Sequence, residues 1–420
     1  MASSEAFKTT RPRVCFLTDT FYPIVGGGET YARNISGRLA ALGMSVFVIT
    51  RRVTADLKPL DQVGGVPVIR VGPTGMVRFG KYAMLPAVAL QLIRRRRSFD
   101  ILYVSNFRAI GPAAVLMARL LGKRCILRAG VCGEFSGRYV AADGLLPSRA
   151  LPWLAAPLAL RTALLRRADR FVSNCESITA EFRQHGVSDS QIVQLPGGVD
   201  TEVFHPVEPV ERARLRTLLG LPADRFLVGY AGKLNRGKGL THLMAALPAI
   251  LRRHPNIHLV LIGSGRHQFL SQEDELRAMV RDASLDDRVT FTGYVQNVAQ
   301  YLQSLDLFVF PTEHEALPNA LLEAMACGLI CVGSRVGGVP DIIEDGVNGR
   351  LIPPGRPEAI VQALCAIKAD PTSVAPWRLA ARRTAEERFS LEALAKRHYE
   401  FLSALMTTNG HAPRDGAASC

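Results

Sequence analysis

Two distant segments of the chain show the same succession of strand, glycine-containing loop, helix and strand. The first segment is RVCFLTDTFYPIVGGGETYARNISGRLAALGMSVFVIT, in which 14–18 and 45–50 are short apolar runs typical of buried strands. Three glycines at 26–28 separate the first strand from a helical pattern at 29–42, which ends before Gly43. The pattern predicts a βαβ unit.

The second segment, FLVGYAGKLNRGKGLTHLMAALPAILRRHPNIHLVLIGSG, repeats this plan with predicted strands at 226–231 and 257–262. Further strands are predicted in ILYVSN, RCILRAG and RFVSNC of the first half, and in VTFTGYV, DLFVFP and ICVGS of the second. Alternating strands and helices are typical of α/β proteins. We therefore predict two Rossmann-like, doubly wound parallel-sheet domains that face a central cleft, where a ligand would bind.

The chain is long enough for two or three domains, since it has 420 residues. A proline-rich and acidic stretch, GGVDTEVFHPVEP at 197–209, marks the expected join. We predict an N-terminal domain at 1–205 and a C-terminal domain at 206–387. The tail after about residue 406, TTNGHAPRDGAASC, has the composition of a disordered segment.

Charge and composition narrow the class of function. The formal net charge is +14, from 51 basic and 37 acidic residues, which favours phosphate-bearing, polyanionic or anionic-membrane partners. No aromatic or motif pattern supports nucleic-acid binding. Neither glycine loop matches Gly-x-Gly-x-x-Gly with a spaced acidic residue, which disfavours a dinucleotide-dependent dehydrogenase. The eight cysteines form no Cys-x-x-Cys pair and the nine histidines no His-Glu-x-x-His motif, so no metal site is expected.

The sequence predicts a cytoplasmic protein. Its first 13 residues lack the apolar core of a signal peptide, and the scattered cysteines suit a reducing compartment. Its longest apolar runs are shorter than the roughly 20 residues that span a bilayer. Two basic, apolar stretches, KYAMLPAVALQLIRRRR at 81–97 and LRTALLRRADR at 160–170, suit either an anionic membrane surface or a packed helix with a solvated end.

The stretch EALPNALLEAMACG, at 315–328, holds two glutamates near the start of a predicted helix. Pro318 suits the first helical turn and Gly328 the stop, so we predict a helix at 318–327. Glu315 then lies in the loop before the helix, and Glu323 lies inside it. Because the buried strand LDLFVFP precedes this loop, the junction is a typical ligand position in α/β sheets. The alternative is that both glutamates are solvated helix-end residues.

Six segments together resemble the retaining glycosyltransferases of glycosyltransferase family 4, which have the GT-B fold. They are GGGE (26–29), GKLNRGKG (232–239), GSG (263–265), FTGYV (291–295), EALPNALLEAMACG (315–328) and GGVPDIIEDGVNGRLIPPG (337–355). The resemblance implies transfer of a hexose-type sugar from a nucleoside diphosphate sugar to a hydroxyl acceptor, without a metal or cofactor. The product would belong to polysaccharide, lipopolysaccharide or glycolipid synthesis, and a lipid-linked or glycan acceptor would bind mainly the first domain. A last helix at about 388–406 would pack back on that domain.

The resemblance also assigns roles to individual residues. Lys233 and Lys238 match its paired basic positions, which stabilise the leaving diphosphate, although the family usually has arginine at the first. Glu315 matches the position facing the donor sugar, and Glu323 the position that accepts hydrogen bonds from the ribose hydroxyls. The remaining donor-binding positions are Gly27, Gly28, Gly265, Tyr294, Val295, Leu317, Pro318 and Asn319. The alternatives are surface lysines and, for the glycines, an ordinary βα turn.

One position departs from the family pattern. Many members have a histidine near the end of the strand that reads CILRAGVCGEF here, but this chain has Ala129 or Gly130 there. Arg128 and Glu134 are the polar residues available, and no general base is assigned. The leaving phosphate would then accept the acceptor's proton, as the implied front-face mechanism allows. The departure leaves open a catalytically silent sugar-nucleotide-binding protein, and the scaffold also allows an epimerase or a phosphorylase.

Overall fold

The computed structural model describes residues 11–24, 26–75, 80–138, 151–266, 268 and 270–407, so the tail predicted to be disordered lies outside the described residues apart from Thr407. The strands are β1 Arg13–Leu17, β2 Ser45–Arg51, β3 Leu60–Val63, β4 Val66–Val71, β5 Ile101–Ser105, β6 Arg124–Arg128, β7 Arg170–Ser173, β8 Ile192–Gln194, β9 Phe226–Ala231, β10 Ile257–Ile262, β11 Val289–Gly293, β12 Leu307–Phe310, β13 Ile330–Ser334 and β14 Arg350–Ile352. The helices are α1 Gly27–Ala41, α2 Gly80–Ala83, α3 Leu85–Arg94, α4 Gly111–Leu120, α5 Leu151–Leu165, α6 Glu176–Gln184, α7 Pro209–Leu218, α8 Leu240–Arg253, α9 Glu273–Asp282, α10 Val298–Ser304, α11 Asn319–Ala326, α12 Val339–Ile342, α13 Pro357–Ala369, α14 Pro371–Phe389 and α15 Leu391–Thr407.

The first sheet has eight strands in the order β3-β4-β2-β1-β5-β6-β7-β8. Strand β1 pairs in parallel with β2 and β5, and the pairs β2–β4 and β5–β6 are also parallel. Only β3, an edge strand, is antiparallel to its neighbour β4 among these pairs of the described chain. The chain winds outward from β1 in one direction and then from β5 in the other, so the strand order reverses between β1 and β5.

The second sheet has six strands in the order β11-β10-β9-β12-β13-β14, and every neighbouring pair is parallel. Its order reverses between β9 and β12. Ligands of such sheets bind outside the carboxyl ends of the strands at this reversal, which is called the switch point. The prediction of two doubly wound parallel sheets is confirmed, with β3 as an unpredicted antiparallel edge.

The apolar runs that predict strands form the core. Strands β5, β10, β12 and β13 are buried along their whole length, as expected when helices cover both faces of a parallel sheet. Helix α8 adds an apolar face that includes Leu243, Leu247 and Ile250 at helical spacing. Truncating a fully buried aromatic side chain such as Phe308 to alanine would cost about 3–5 kcal/mol of stability.

The chain forms two compact units. One comprises residues 1–128, 152–171 and 395–420, and the other comprises 129–151 and 172–394. Within the first unit, His398 of the last helix has its Nε2 atom 2.6 Å from the hydroxyl of Tyr31 in α1. Among the described helices, none is both long and apolar enough to cross a membrane.

Candidate functional site

The loops after β9 and β12 flank the switch point of the second sheet and are joined by backbone hydrogen bonds. The carbonyl of Gly237 accepts hydrogen bonds from the amide of Glu313, at 2.9 Å, and from the hydroxyl of Thr312, at 3.1 Å. Gly239 has a φ of +66°, and a Cβ atom there would overlap the carbonyl oxygen of Pro311. A glycine is therefore required where the first loop enters α8.

This junction brings Lys238 and Glu315 together. The Nζ atom of Lys238 lies 2.6 Å from Oε2 of Glu315, and the two side chains are 26% and 19% exposed. Beneath them, the hydroxyl of Tyr230 donates to the carbonyl of Lys233, at 3.0 Å. Burial raises the pKa of Tyr230, and the negative charge of Glu315 raises it further. The ammonium and the carboxylate thus neutralise each other in a partly desolvated place, where an incoming anion can compete for the lysine.

Lys233 differs from Lys238 in its environment. Its residue is exposed in the same loop, and its side chain forms no ion pair with the described residues. The structure therefore places one of the two predicted lysines against a predicted carboxylate and leaves the other in solvent, at the rim of the loop.

The start of α11 presents free amides next to this pair. The helix begins at Asn319, one residue after the predicted start, with Pro318 as an extended N-cap residue. The first intrahelical bond runs from the amide of Leu322 to the carbonyl of Pro318, at 3.3 Å. The amides of Asn319 to Leu321 consequently have no intrahelical acceptor and carry the positive end of the helix dipole. Gly328 follows the helix with a φ of +69°, as predicted.

Glu323 lies on α11 among buried neighbours. Burial raises the pKa of its carboxyl from 4.5 to about 7. Within the described chain, the carboxylate has no hydrogen-bond or ion-pair partner, although its backbone carbonyl accepts the amide of Cys327. A partly buried carboxylate without donors is unfavourable unless a ligand supplies hydroxyl groups, which is the role implied for this position.

Segment 337–338 fixes the backbone of the Glu315 loop. The amide of Gly338 donates to the carbonyl of Ala316, at 2.7 Å. Gly337 has a φ of +54°, and a Cβ atom there would overlap the carbonyl oxygen of Glu315. Gly197 also lies close, since a Cβ atom at that position would be 3.3 Å from Oδ1 of Asn319. A Cβ atom at Gly338 would likewise overlap the carbonyl oxygen of Ala316, so these close approaches explain why glycines occur at 337 and 338.

A cavity of about 530 Å³ lies beside the ends of β10 and β11. It is lined by Ser264, Arg266, Gln268, Glu273, Arg277, Phe291, Thr292, Gly293 and Tyr294. Tyr294 is 71% exposed and follows Gly293, whose φ is +69°. Val295 is half-buried, outside this lining. The structure thus brings Tyr294 to the cavity, and Gly265 adjoins it through Glu273.

Glu273 organises this cavity and was not predicted as a site residue. Its carboxylate is buried and accepts hydrogen bonds from Ser264 Oγ, at 2.6 Å, the amide of Gly265, at 3.0 Å, and Arg277 Nη2, at 2.9 Å. Burial opposes ionisation, but these donors outweigh it and lower the pKa to about 2. The sequence shows only an acidic first helical turn, which is common wherever acidic residues balance the helix dipole.

The glycine loop of the first unit is shorter than predicted. Helix α1 begins at Gly27, two residues before the predicted start, with Gly26 as an extended N-cap residue. Gly27 and Gly28 therefore form the first helical turn, where amides have no intrahelical acceptor. A Cβ atom at Gly28 would overlap the side-chain amide of Asn106, which follows β5. The carboxylate of Glu29 accepts the hydroxyl hydrogen of Thr20.

Arg128, Ala129 and Glu134, which surround the position where many family members have a histidine, are buried. Ala129 is inaccessible, and Glu134 accepts the amide of Gly130, at 2.9 Å, so this carboxylate holds its own loop. The guanidinium of Arg128 stacks on the ring of Tyr31, with Cζ 3.4 Å from the ring centroid. Among the described residues, no three His, Cys, Asp or Glu side chains are grouped to hold a metal ion.

Comparison with known proteins accounts for both halves of the chain. Residues 26–198 match the model of the glycosyl transferase 4-like domain, and residues 225–370 match that of glycosyl transferases group 1. Both halves are glycosyltransferase domains. The first sheet and its switch point belong to the first of these domains, and the second sheet and its switch point belong to the second.

Relatives and solved structures match across both domains. The chain is 28% identical over 369 residues to D-inositol 3-phosphate glycosyltransferase of Nocardiopsis dassonvillei, covering 84% of this chain and 83% of the relative. It is 29% identical over 402 residues to the GDP-mannose-dependent alpha-(1-6)-phosphatidylinositol monomannoside mannosyltransferase of Mycolicibacterium smegmatis, covering 92% and 97%. Its fold is similar to that of Anabaena HepE in complex with UDP, with a TM-score of 0.75 at 20% identity, covering 93% and 100%. The glycosyltransferase domains have the GT-B fold.

Proposed function

We propose that this protein is a retaining glycosyltransferase that moves a hexose-type sugar from a nucleoside diphosphate sugar to a hydroxyl acceptor. The observation that carries the proposal is the Lys238–Glu315 pair at the switch point of the second sheet. The names of two similar proteins support a nucleotide-sugar donor, since one is bound to UDP and the other depends on GDP-mannose. The product would be a polysaccharide, a lipopolysaccharide or a glycolipid.

The leaving diphosphate is the group that Lys238 would stabilise. As the bond between sugar and phosphate breaks, negative charge grows on the phosphate oxygen, and preorganised donors lower the barrier most where charge develops. Lys238 and Lys233 supply ammonium groups, and the α11 amides supply the positive end of a helix. The backbone amides of Gly27 and Gly28 would approach the phosphate oxygens of the same diphosphate. A charge-assisted hydrogen bond contributes about 1.5–3 kcal/mol.

The two glutamates would act at opposite ends of the donor. When phosphate engages Lys238, the carboxylate of Glu315 is released to orient the sugar hydroxyls and to stabilise positive charge at the anomeric carbon. Glu323 would accept both hydroxyl hydrogens of the ribose. The backbone near Tyr294 and Val295 would contact the base, Gly265 would lie in the same site, and the backbone of Leu317, Pro318 and Asn319 would contact sugar or phosphate.

Charge stabilisation by lysines makes the proposed reaction independent of a metal ion or cofactor. The acceptor's proton would pass to the leaving phosphate oxygen, since no side chain is assigned as general base. In a retaining reaction the acceptor then attacks from the face that the diphosphate leaves. The sugar keeps its anomeric configuration as a consequence.

The first test is thermal unfolding of the purified full chain with UDP, GDP, ADP and their glucose and mannose conjugates, with and without EDTA. A ligand that binds only the folded state raises the melting temperature. We expect one nucleoside diphosphate to raise it selectively, equally well with EDTA, and K238A to abolish the shift. The matched control is K58A, because Lys58 is an exposed lysine of the other unit. Binding without any transfer to added acceptors would instead support a silent binding protein.

Attachment to the cytoplasmic face of an anionic membrane is part of the proposal. Tyr82, Leu90 and Ile93 are exposed apolar side chains near α3, and Arg94 and Arg96 are exposed at its end. Such a surface suits anionic headgroups and the boundary of the acyl chains. We expect sedimentation with phosphatidylglycerol vesicles but not with phosphatidylcholine vesicles. L90E combined with I93E should abolish sedimentation without changing the melting temperature.

A further inference from the structure

Arg128, the last residue of β6, has a buried guanidinium with incomplete hydrogen bonding. The residue is 3% exposed. Its Nε and Nη1 atoms are buried and have no hydrogen-bond partner in the described part of the chain. The stack on Tyr31 covers one face of the guanidinium plane, but the N–H groups point outward within that plane. Stacking therefore does not satisfy them.

Ser105, the last residue of β5, is the register partner of Arg128 in the parallel pair β5–β6. Ser105 is 1% exposed, and its hydroxyl oxygen is also buried without a partner among the described residues. Register partners in neighbouring strands project from the same face of a sheet. Tyr31 supports this orientation, because it contacts both Arg128 and Tyr103, which precedes Ser105 by two residues on the same strand face.

Tyr31, Tyr103 and His398 are engaged with one another, and the two tyrosines carry no negative charge. The hydroxyl of Tyr31 lies 2.6 Å from the hydroxyl of Tyr103 and 2.6 Å from Nε2 of His398. Burial raises the pKa of both tyrosines, so they remain neutral at physiological pH. Arg128 forms no ion pair with the residues that the structure describes. A buried charge without a counter-charge costs several kcal/mol unless something compensates for it.

We infer that Arg128 and Ser105 form a binding site for a phosphate-type anion carried by a substrate. Both residues end parallel strands, and the carboxyl ends of such strands are where α/β sheets bind ligands. A guanidinium offers two parallel N–H groups that match two oxygens of a phosphate, and a serine hydroxyl can donate to a third. The identity of the substrates in this inference rests on the proposed function. The existence of the anion site does not.

Two substrates could carry the anion. One is an acceptor with a phosphate group, and the other is the diphosphate of the donor. Both would present the same oxygens to Arg128. If the anion belongs to the acceptor, free phosphate can still bind the site after a nucleoside diphosphate has bound. If it belongs to the donor, the bound nucleoside diphosphate excludes free phosphate.

The test is calorimetric titration of the full-length protein with inorganic phosphate at constant ionic strength. Phosphate can also bind at Lys238, so the wild type is compared with K238A, R128Q and the K238A/R128Q double variant. We expect R128Q to weaken phosphate binding about ten- to a hundredfold in the K238A background, as loss of a charge-assisted pair implies. R128K should recover part of the affinity, since lysine keeps the charge but not the two-pronged geometry.

The S105A variant is the control for misfolding. The Ser105 hydroxyl has no hydrogen-bond partner among the described residues, so its removal should leave the melting temperature unchanged or higher. In the K238A background, S105A should nevertheless lower phosphate affinity severalfold. Equal phosphate affinity in K238A, K238A/R128Q and K238A/S105A would overturn the inference.

Repeating the titration with a saturating nucleoside diphosphate identifies the source of the anion. Phosphate binding that persists and depends on Arg128 assigns the site to an acceptor phosphate. Binding that disappears assigns it to the donor diphosphate. Neither arm needs turnover, so unchanged transferase activity in K238A and E315Q can refute the proposed function without affecting this result.

Discussion

The two switch points have the same topology but different chemistry. In each, a central strand leads through a glycine-containing loop into a helix, beside a strand that begins the opposite winding. At the second, Lys238 and Glu315 form a close ion pair between loops joined by hydrogen bonds. At the first, Gly28 packs against the neutral amide of Asn106. Arg128, at the end of the next strand β6, is a cation without an ion-pair partner among the described residues.

This difference shows that topology decides where ligands bind, whereas side chains decide which ligands bind. A paired cation is ready to exchange its partner, so it suits a group that enters and leaves with every turnover. An unpaired, buried cation is unfavourable until an anion arrives, so it suits recognition of one particular substrate.

Substituting Lys238 is the strongest test of the contrast. K238A should reduce kcat/KM about ten- to a hundredfold, because a charge-assisted hydrogen bond to the leaving group is lost. E315Q should lower kcat while leaving affinity for the nucleoside diphosphate largely intact, as measured by calorimetry. K58A should resemble the wild type in both measurements. Unchanged turnover in K238A and E315Q would contradict the site assignment.

Glycine substitutions compare the rigidity of the two loops. G239A should lower the free energy of unfolding by at least about 2 kcal/mol, since the site needs a positive φ and the methyl group would meet a backbone carbonyl. G28A should change stability by less than about 1 kcal/mol, because Asn106 can rotate and alanine favours the helix. Urea unfolding measures both. If G28A proved as destabilising as G239A, the first loop would be as constrained as the second.

Glu323 links donor binding to pH. With a pKa of about 7 in the free protein, its carboxyl is mostly protonated below that value. A diol prefers the carboxylate, so affinity for the nucleoside diphosphate should fall by up to tenfold per pH unit below 7. E323Q should bind weakly and without this pH dependence. Calorimetry between pH 5.5 and pH 8.5, within the stable range of the protein, decides between these outcomes.

The same carboxyl affects stability in the opposite direction. Its pKa is raised on folding, from 4.5 to about 7, so its stabilising contribution is complete below about 4.5 and is lost as pH rises through 7. Relative to E323Q, the wild type should therefore lose roughly 1–3 kcal/mol of stability over this range, a figure reduced because the residue is only partly buried. A constant stability difference between the two proteins from pH 5 to pH 8 would argue against the raised pKa.

Lys233 should show a smaller effect than the preceding changes. Its side chain is exposed, and solvent screens its interaction with a phosphate. K233A should weaken nucleoside diphosphate binding about two- to tenfold at low salt and less at high salt. K233R should bind at least as well as the wild type. An effect of K233A as large as that of K238A would mean that the loop closes over the ligand.

Much of the fold follows from local patterns, whereas much of the site depends on long-range contacts. The helix predicted at 318–327 is found at 319–326, and Gly328 ends it as predicted, because caps and apolar periodicity are local signals. The fit of Gly337 against Glu315 and the buried network of Glu273 could not be predicted, because they join distant segments. The isolation of Arg128 likewise depends on the register of β5 and β6, which no pattern within one strand specifies.

The ion pair between Lys238 and Glu315 also has a consequence for the order of events during catalysis. A free sugar would meet a carboxylate that is already occupied by the ammonium, and it brings no phosphate to displace it. A nucleoside diphosphate sugar brings both groups, so its phosphate can withdraw the lysine before its hydroxyls reach the glutamate. Rejection of abundant unactivated sugars would then come from the resting state of the enzyme, without any residue devoted to that task.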